Sequence, residues 1–503
     1  MRITDKTHIL NCAVLFFTTL ISRIFLLEKF QSHWDGPQYS IALFRYSIAD
    51  NTPASPGYPI YIGIGKFLNL FANNPHLALT IESAVFNALG TVVIYFFAKS
   101  IFNQRVAFIA AAFYATSPVI YFFGLTAYAY GIDVVFYLLF AFACYSFIVK
   151  KKRISLLVGS TFGLLIGFRP QDLLFAVPLF LLALFYSKKN ETVKILLSTL
   201  IICFLWLVPV IIATGGINLY IGYLKDAIFS MRNAPHLTYL KVGTILVKGL
   251  ILTTGIGVVF PLLFLITNHF RLKKKKYKST LIYFAFWMLP PFLFNVIIRS
   301  DHAGYQLSYL IPFILLCAAS LYSLFRKSYY LKVFIIAVIL VNFVLFFRNR
   351  DVGNRKPYIP TSFHYSEIVK NDHKMEEKID YIKDNFNPST TLILVGGSDY
   401  FRPVMYYFPE FRVIQLNRLT SNDRYYENFV RAGYQYEMKE YRVENNYYKL
   451  PRFVSTIVCF DDECKSWWKN NGSVVKFDES TSIVVVETSE SSLLYGFGKL
   501  RVN

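Results

Sequence analysis

The feature that most restricts this chain is a series of long apolar runs separated by short basic clusters. A helix crossing a bilayer needs about 20 predominantly apolar residues. Such runs lie near 8–27, 77–99, 105–123, 127–149, 194–214, 241–267, 279–298, 305–325 and 331–347. Two shorter ones, near 154–168 and 173–187, flank Arg169-Pro170-Gln171-Asp172. The expected architecture is a polytopic α-helical membrane protein of about eleven transmembrane helices. Composition agrees, since charged residues make up 17% of the chain against about 25% in ordinary soluble domains. A single soluble globule, a disordered tail and a collagen-like fibre are excluded.

A net charge of +21 would suit nucleic acid if it were spread over a surface. It is concentrated instead between apolar runs, in Lys150-Lys151-Lys152-Arg153, Lys188-Lys189 and Arg271 through Lys276. That is the pattern of cytoplasmic membrane loops. With no zinc-finger or RNA-recognition signature, no nucleic-acid partner is expected. If Met1-Arg2 and Lys6 are cytoplasmic, odd-numbered spans exit and even-numbered spans return. Arg105, Lys150 to Arg153, Lys188-Lys189, Arg271 to Lys278 and Arg326-Lys327 with Lys332 then share the cytoplasmic side. The chain is expected in the plasma membrane. No small-residue cleavage site follows the first run before Glu28, which is therefore read as a retained span.

The same alternation places 28–76, 124–133, 169–172, 215–240 and 299–304 outside. It divides the chain into a transmembrane domain, 1–347, and an extracytoplasmic α/β domain, 348–503. In the latter a helix is expected from His373 to Phe386. Strands are expected at Thr391 to Val395, Phe411 to Leu416, Phe453 to Val458, Val474 to Phe477 and Ser482 to Glu487. Cys12, Cys144, Cys203 and Cys317 fall in spans and read as plain core thiols. Cys459 and Cys464 bracket Phe-Asp-Asp-Glu, where an oxidising compartment permits a disulfide. A bare pair without His is weak for zinc.

Ionisable groups at membrane depth cost about 2.5–3.5 kcal/mol each. Here they gather at the outside ends of the spans, which implies one water-facing cavity. The first outside loop reads His33-Trp34-Asp35-Gly36-Pro37-Gln38-Tyr39, then Ser55-Pro56-Gly57-Tyr58-Pro59. The Asp35 carboxylate could take a proton from an attacking hydroxyl or amine, although Asp-Gly-Pro is also ordinary turn chemistry. Gln38 to Ala49 has the character of an interfacial helix, and Pro-Gly-Tyr-Pro that of a stiff turn leading to a second one.

Asp133, after Tyr128 and Tyr130, is a candidate base partner, acceptor-binding group or metal ligand; the plain alternative is a carboxylate at a helix N-terminus. Asp35 and Asp133 are few for an all-protein Mg²⁺ or Mn²⁺ site, yet Mg²⁺ keeps waters and borrows phosphate oxygens. No metal is required, and a divalent cation stays open. Arg169 can grip phosphate with two donors, or simply pair with Asp172. Arg299, Asp301 and His302 form the next polar turn, before Gly304-Tyr305. The chain has no Gly-x4-Gly-Lys-Ser/Thr phosphate loop. Gly396-Gly397 is read as a tight turn, and Asn471-Gly472-Ser473 is a glycosylation sequon.

Taken together, these residues resemble the GT-C membrane glycosyltransferases. The likeness is to the branch with protein O-mannosyltransferases and the lipid A aminoarabinose transferase. His33-Trp34-Asp35-Gly36 stands where that family carries an essential Asp. Ser55-Pro56-Gly57-Tyr58-Pro59-Ile60-Tyr61 is similar to its Pro-Pro-Gly-Tyr-Pro-Leu-Tyr stretch. Gly167-Phe168-Arg169-Pro170 is similar to its Gly-x-Arg-Pro. His302-Ala303-Gly304-Tyr305, leading to Leu310-Ile311-Pro312, looks like its late His-x-Gly…Tyr-x-Leu-Pro segment. The likeness covers about the first 350 residues. One departure is Asp35-Gly36 in place of the Asp-Glu of O-mannosyltransferases proper.

The resemblance implies transfer of one sugar from a polyprenyl-phosphate donor to a lipid, glycan or protein acceptor, with inversion at the anomeric carbon. Asp35 would be the base. Arg169 and Arg299, helped by His302, would meet the donor phosphate, and His33, Tyr58, Tyr128 and Asp133 join them as candidate substrate-binding residues. Two other classes compete. A transporter or flippase would carry internal repeats and helices broken at mid-span, and the sequence shows no convincing repeat. A non-catalytic cell-envelope assembly protein would use the C-terminal domain for binding.

Overall fold

The computed structural model describes residues 3–31, 35–233, 238–268, 278–298, 303–348, 363–396, 398–416, 424–431, 435–442, 447–449, 454–467, 473–477, 481–487 and 493–495. Each expected apolar run is helical. The first forms α1 (Ile3–Ile24), and the following loop holds α2 (Asp35–Phe44) and α3 (Pro59–Ala72). Next come α4 (Pro75–Ile101), α5 (Gln104–Thr116), α6 (Pro118–Phe123) and α7 (Ala129–Ile148). α8 (Ser155–Phe168), α9 (Leu173–Phe185), α10 (Lys189–Ala213) and α11 (Ile217–Asn233) follow. The apolar part closes with α12 (Tyr239–Thr254), α13 (Val259–Asn268), α14 (Lys278–Ile298), α15 (Ala303–Phe325) and α16 (Tyr330–Phe347). Among the described residues seven helical stretches are long and apolar enough to cross a membrane, and four shorter apolar helices accompany them.

The run at 105–123 is not one helix. Pro118 has no N–H to give, so it kinks or breaks a helix; here the chain breaks at Ser117 and restarts with Pro118 in the first turn of α6. The break frees backbone acceptors, and buried Arg23 of α1 donates to the Ala115 carbonyl. Its guanidinium lies 3.8 Å over the Tyr121 ring. The run at 241–267 is also interrupted, by a tight turn over Gly255–Val258. Gly255 has a φ of +58°, and a Cβ there would stand 2.1 Å from Asn342 Oδ1.

The chain divides into two compact units. Residues 1–27, 55–73 and 77–367 form the first; 28–54, 74–76 and 368–503 form the second. The boundary differs from a single cut at 347, because the loop after the first span joins the C-terminal part of the chain. In the first unit Lys151, after α7, lies 4.7 Å over the Tyr186 ring, after α9. These basic turns therefore share one end of the helices, and the opposite ends of α7, α8 and α9 carry Asp133, Arg169 and Asp172.

The second unit begins with α2 and continues with α17 (Tyr365–Asn385) from Ile368 onward. Then come β1 (Thr391–Val395), α18 (Ser398–Tyr407) and β2 (Arg412–Leu416). β3 (Arg424–Arg431), β4 (Gln435–Arg442) and β5 (Tyr447–Lys449) follow. The rest is β6 (Thr456–Cys459), α19 (Asp462–Trp467), β7 (Ser473–Lys476), β8 (Ser482–Glu487) and β9 (Leu493–Tyr495). Seven strands form one sheet in the order β4-β3-β2-β1-β6-β8-β7, and β5 pairs with β9. β1 is parallel to both β2 and β6, and the other pairs are antiparallel. The core joins Ile379 and Ile382 of α17, Val395, Phe401, Val404 and Phe408, with Ile41 of α2 among them. The five expected strands are present; the β3–β4 pair lies in a Tyr- and charge-rich stretch that gives no clean alternation.

Cys459 and Cys464 are joined by a disulfide across a sequence separation of 5. Between them the Asp461 carboxylate accepts from Gly396 N at 2.8 Å and Cys464 N at 2.8 Å, tying the ends of β1 and β6 together. Lys378 Nζ donates to Phe460 O at 2.7 Å. Burial pushes that amine down to about 8.

Candidate active site

Pro170 builds the site. A residue before proline is driven to extended backbone, and Arg169, at φ −140° and ψ 94°, ends α8 there. Its side chain turns inward and is 1% exposed. Nη1 lies 3.1 Å from Asp133 Oδ2 and 3.7 Å from Asp172 Oδ1. Asp133 comes from the first turns of α7, and Asp172 from the short turn between α8 and α9. The guanidinium carbon is 4.8 Å from the Tyr130 ring centre and 4.6 Å from that of Tyr305. Gly304 lets α15 come this close, since a Cβ on it would meet the Tyr130 ring at 2.5 Å.

The cluster is under-satisfied. Arg169 Nε and Nη2, Asp133 Oδ1 and both Asp172 oxygens are buried without a hydrogen-bond partner in the protein. Orphaned polar groups of this kind are expensive. Two carboxylates against one guanidinium leave a formal charge of −1 when all are ionised. The open donors of Arg169 point to an anionic ligand, whereas the carboxylates suit hydroxyl or cationic groups.

The Ser55-to-Tyr61 motif reaches the same turn. Tyr58 starts α3 with φ 48° and ψ 48°, a left-handed conformation uncommon for a bulky residue. Its hydroxyl accepts from Gln171 Nε2 at 3.0 Å. Tyr128 caps α7 and packs its ring 6.2 Å from Tyr130. Phe168 stacks on Phe136 at 4.9 Å and lies 5.5 Å from Tyr61, so the residue before Arg169 is wedged between α7 and α3.

Of the residues singled out in the sequence, Tyr58, Tyr128, Asp133 and Arg169 therefore share one region of the first unit. Asp35 is half-buried at the N-terminus of α2, in the second unit. His33, Arg299, Asp301 and His302 lie outside the described residues. Tyr130 and Tyr305, which flank Arg169, stand in stretches singled out in the sequence, but neither was among its candidate site residues. Glu82 also escaped notice: it is fully buried in α4, with neither carboxylate oxygen hydrogen-bonded. Among the described residues no group of three or more His, Cys, Asp or Glu could hold a metal ion.

Residues 56–212 match the family model described as dolichyl-phosphate-mannose-protein mannosyltransferase. ArnT from Cupriavidus metallidurans in the apo state is similar in structure, with a TM-score of 0.54 at 12% identity, covering 96% of this chain and 97% of that one. The fold is that of ArnT. ArnT bound to undecaprenyl phosphate gives the same TM-score of 0.54 at 12% identity, over 97% of this chain and 98% of that one. The Archaeoglobus fulgidus oligosaccharyltransferase in complex with Zn and sulfate is a weaker likeness, with a TM-score of 0.48 at 12% identity, over 79% of this chain and 61% of that one. No curated protein matches the chain in sequence. The chain is thus a multi-pass membrane protein with an ArnT-like fold, and the matched segment contains Tyr58, Tyr128, Asp133, Arg169 and Asp172.

Proposed function

We propose that this protein moves one sugar, a hexose or a pentose, from a polyprenyl-phosphate donor to a lipid, glycan or protein acceptor. The observation that carries the proposal is buried Arg169, with two unpartnered donor nitrogens, inside the segment that matches a dolichyl-phosphate-mannose-dependent family. The ArnT-like fold, and the capture of ArnT with undecaprenyl phosphate, support a lipid-phosphate donor. In the proposed orientation the N-terminus is cytoplasmic and the reaction runs on the extracytoplasmic side of the plasma membrane.

The reaction is a single displacement. The acceptor oxygen or nitrogen attacks the anomeric carbon as its bond to phosphate oxygen breaks, through an oxocarbenium-like transition state. The acceptor proton passes to the Asp35 carboxylate. The electron pair of the broken bond leaves with the phosphate, whose growing charge is met by Arg169 Nε and Nη2. Arg299 and His302 are the further candidates for that phosphate. Asp133 holds Arg169 in place and offers its second oxygen to a sugar hydroxyl, and the Tyr58–Gln171 pair lines the same turn. One attack on one face inverts the anomeric carbon. These roles use protein groups only.

Ligand-induced stabilisation tests the donor class. Polyprenyl phosphate should raise the melting temperature of the purified protein, as any ligand of the native state does. Nucleotide sugars should not. Stabilisation by a nucleotide sugar and none by polyprenyl phosphate would overturn the reading.

A further inference from the structure

The loop carrying Asp35 is built into the C-terminal unit, and its hydrogen bonds show how. Upstream of α2, the Asp372 carboxylate of α17 accepts from Lys29 N at 3.0 Å and Phe30 N at 2.9 Å, both through Oδ1. Oδ2 takes a further contact from Lys29 N at 3.1 Å. The next backbone group, Gln31 N, donates to the Tyr407 hydroxyl of α18 at 2.7 Å, and the Phe30 ring lies 5.7 Å from that of Tyr407. Three successive backbone N–H groups are thus fixed by two side chains from the far end of the sequence.

The other flank of α2 is held as well. Arg402 of α18 is 1% exposed and donates from Nη2 to Asp50 O at 3.0 Å. Arg45 pairs with Asp50 at 3.2 Å, and Gln38 Oε1 accepts from Ala54 N at 3.2 Å. Between the flanks, Ile41 is 1% exposed and belongs to the core made by Phe401, Val404, Met405 and Phe408. The chain on either side of the helix that begins with Asp35, at residues 29–31 and at Asp50, is therefore held by α17 and α18, and the helix itself is packed at Ile41.

We infer that the C-terminal unit sets the position of Asp35, with Asp372 and Tyr407 as positioning residues that act through it. This rests on the reading of Asp35 as the base. It gives the sheet unit a task in turnover that needs no acceptor-binding motif: α17 and α18 hold the carboxylate where the attacking group must deliver its proton. Catalytic groups displaced by about 1 Å lose on the order of 10²-fold in rate.

The test is a set of variants in the full chain, assayed for transfer from a polyprenyl-phosphate sugar. Tyr407→Phe removes the acceptor for Gln31 N and should lower kcat about 10- to 100-fold, with the donor KM unchanged. Asp372→Ala should do the same, and Asp372→Asn, which keeps the oxygen that accepts from both Lys29 N and Phe30 N, should restore most of the rate. In an Asp35→Asn background neither Tyr407→Phe nor Asp372→Ala should lower the residual rate further, which a general loss of folding would not produce. Wild-type kcat in both Tyr407→Phe and Asp372→Ala, beside an inactive Asp35→Asn, would overturn the positioning role and leave the transferase reading intact. An active Asp35→Asn would instead strike at the assignment of the base. If Asp372→Ala fails to fold, Tyr407→Phe decides alone.

Discussion

Replacing Arg169 by lysine is the sharpest perturbation the structure offers. Lysine keeps the charge but puts it on one nitrogen instead of three. In the wild type Nη1 serves Asp133 at 3.1 Å and Asp172 at 3.7 Å, while Nε and Nη2 remain open. A lysine ammonium drawn to Asp133 or Asp172 leaves the donor phosphate without its partner. The loss is the two charge-assisted hydrogen bonds from Nε and Nη2, each about 1.5–3 kcal/mol, and losing even one of them corresponds to about 10- to 160-fold in rate. Because charge grows on the phosphate as it leaves, the fall should appear mainly in kcat. Steady-state transfer in detergent, paired with a melting curve, separates this from misfolding. Arg169→Ala serves as the contrast: it strands two buried carboxylates and should cost about 3–5 kcal/mol of stability. An Arg169→Lys variant that folds and turns over at the wild-type rate would refute the assignment.

Three further outcomes are expected. Removing the Cys459–Cys464 disulfide as a double Ser variant should destabilise the second unit by about 2 kcal/mol, the loop-closure figure for so short a ring, read as faster proteolysis of the full chain within that unit. Ile41→Ala should cost about 2–5 kcal/mol, as deletion of a fully buried aliphatic side chain does, and an unchanged melting temperature would show that α2 is not held by that core. Burial pushes the Asp372 carboxyl up to about 6, despite the opposing backbone N–H bonds and Lys29, from about 3.9 in an unfolded chain. The folded state then holds the proton more tightly, so this group's stabilisation is complete below about pH 4 and is lost as pH rises through about 6. Asp372→Asn should flatten that slope in a melting series from pH 4 to 7, and an unaltered slope would contradict the account.

The helices were legible because membrane depth leaves the chain little choice: an apolar run of sufficient length must satisfy its backbone internally. The Pro118 break was not, since a proline inside an apolar run signals either a kink or a stop, and Arg23, some ninety positions earlier, helps settle which. Arg169 and Asp133 stood out as charges beside apolar runs. Their mutual contact did not, because 36 positions separate them and nothing local fixes which faces of α7 and α8 meet. The strand pairs β1–β2 and β1–β6 follow from short buried apolar segments, whereas the polar β3–β4 pair carries no such pattern. The largest gap was the membership of 28–54. Its bonds to Asp372, Arg402 and Tyr407 span more than 340 residues, and no local periodicity can announce them.

Transfer itself is the most direct test of the central claim. Purified protein would be incubated with radiolabelled polyprenyl-phosphate sugars and a cell-envelope extract, in parallel with Asp35→Asn. The account predicts that one donor is consumed, that polyprenyl phosphate is released as label appears in the acceptor, and that a folded Asp35→Asn does neither. If the wild type consumes and binds none of a broad donor panel, or if Asp35→Asn matches it, the proposed chemistry is wrong.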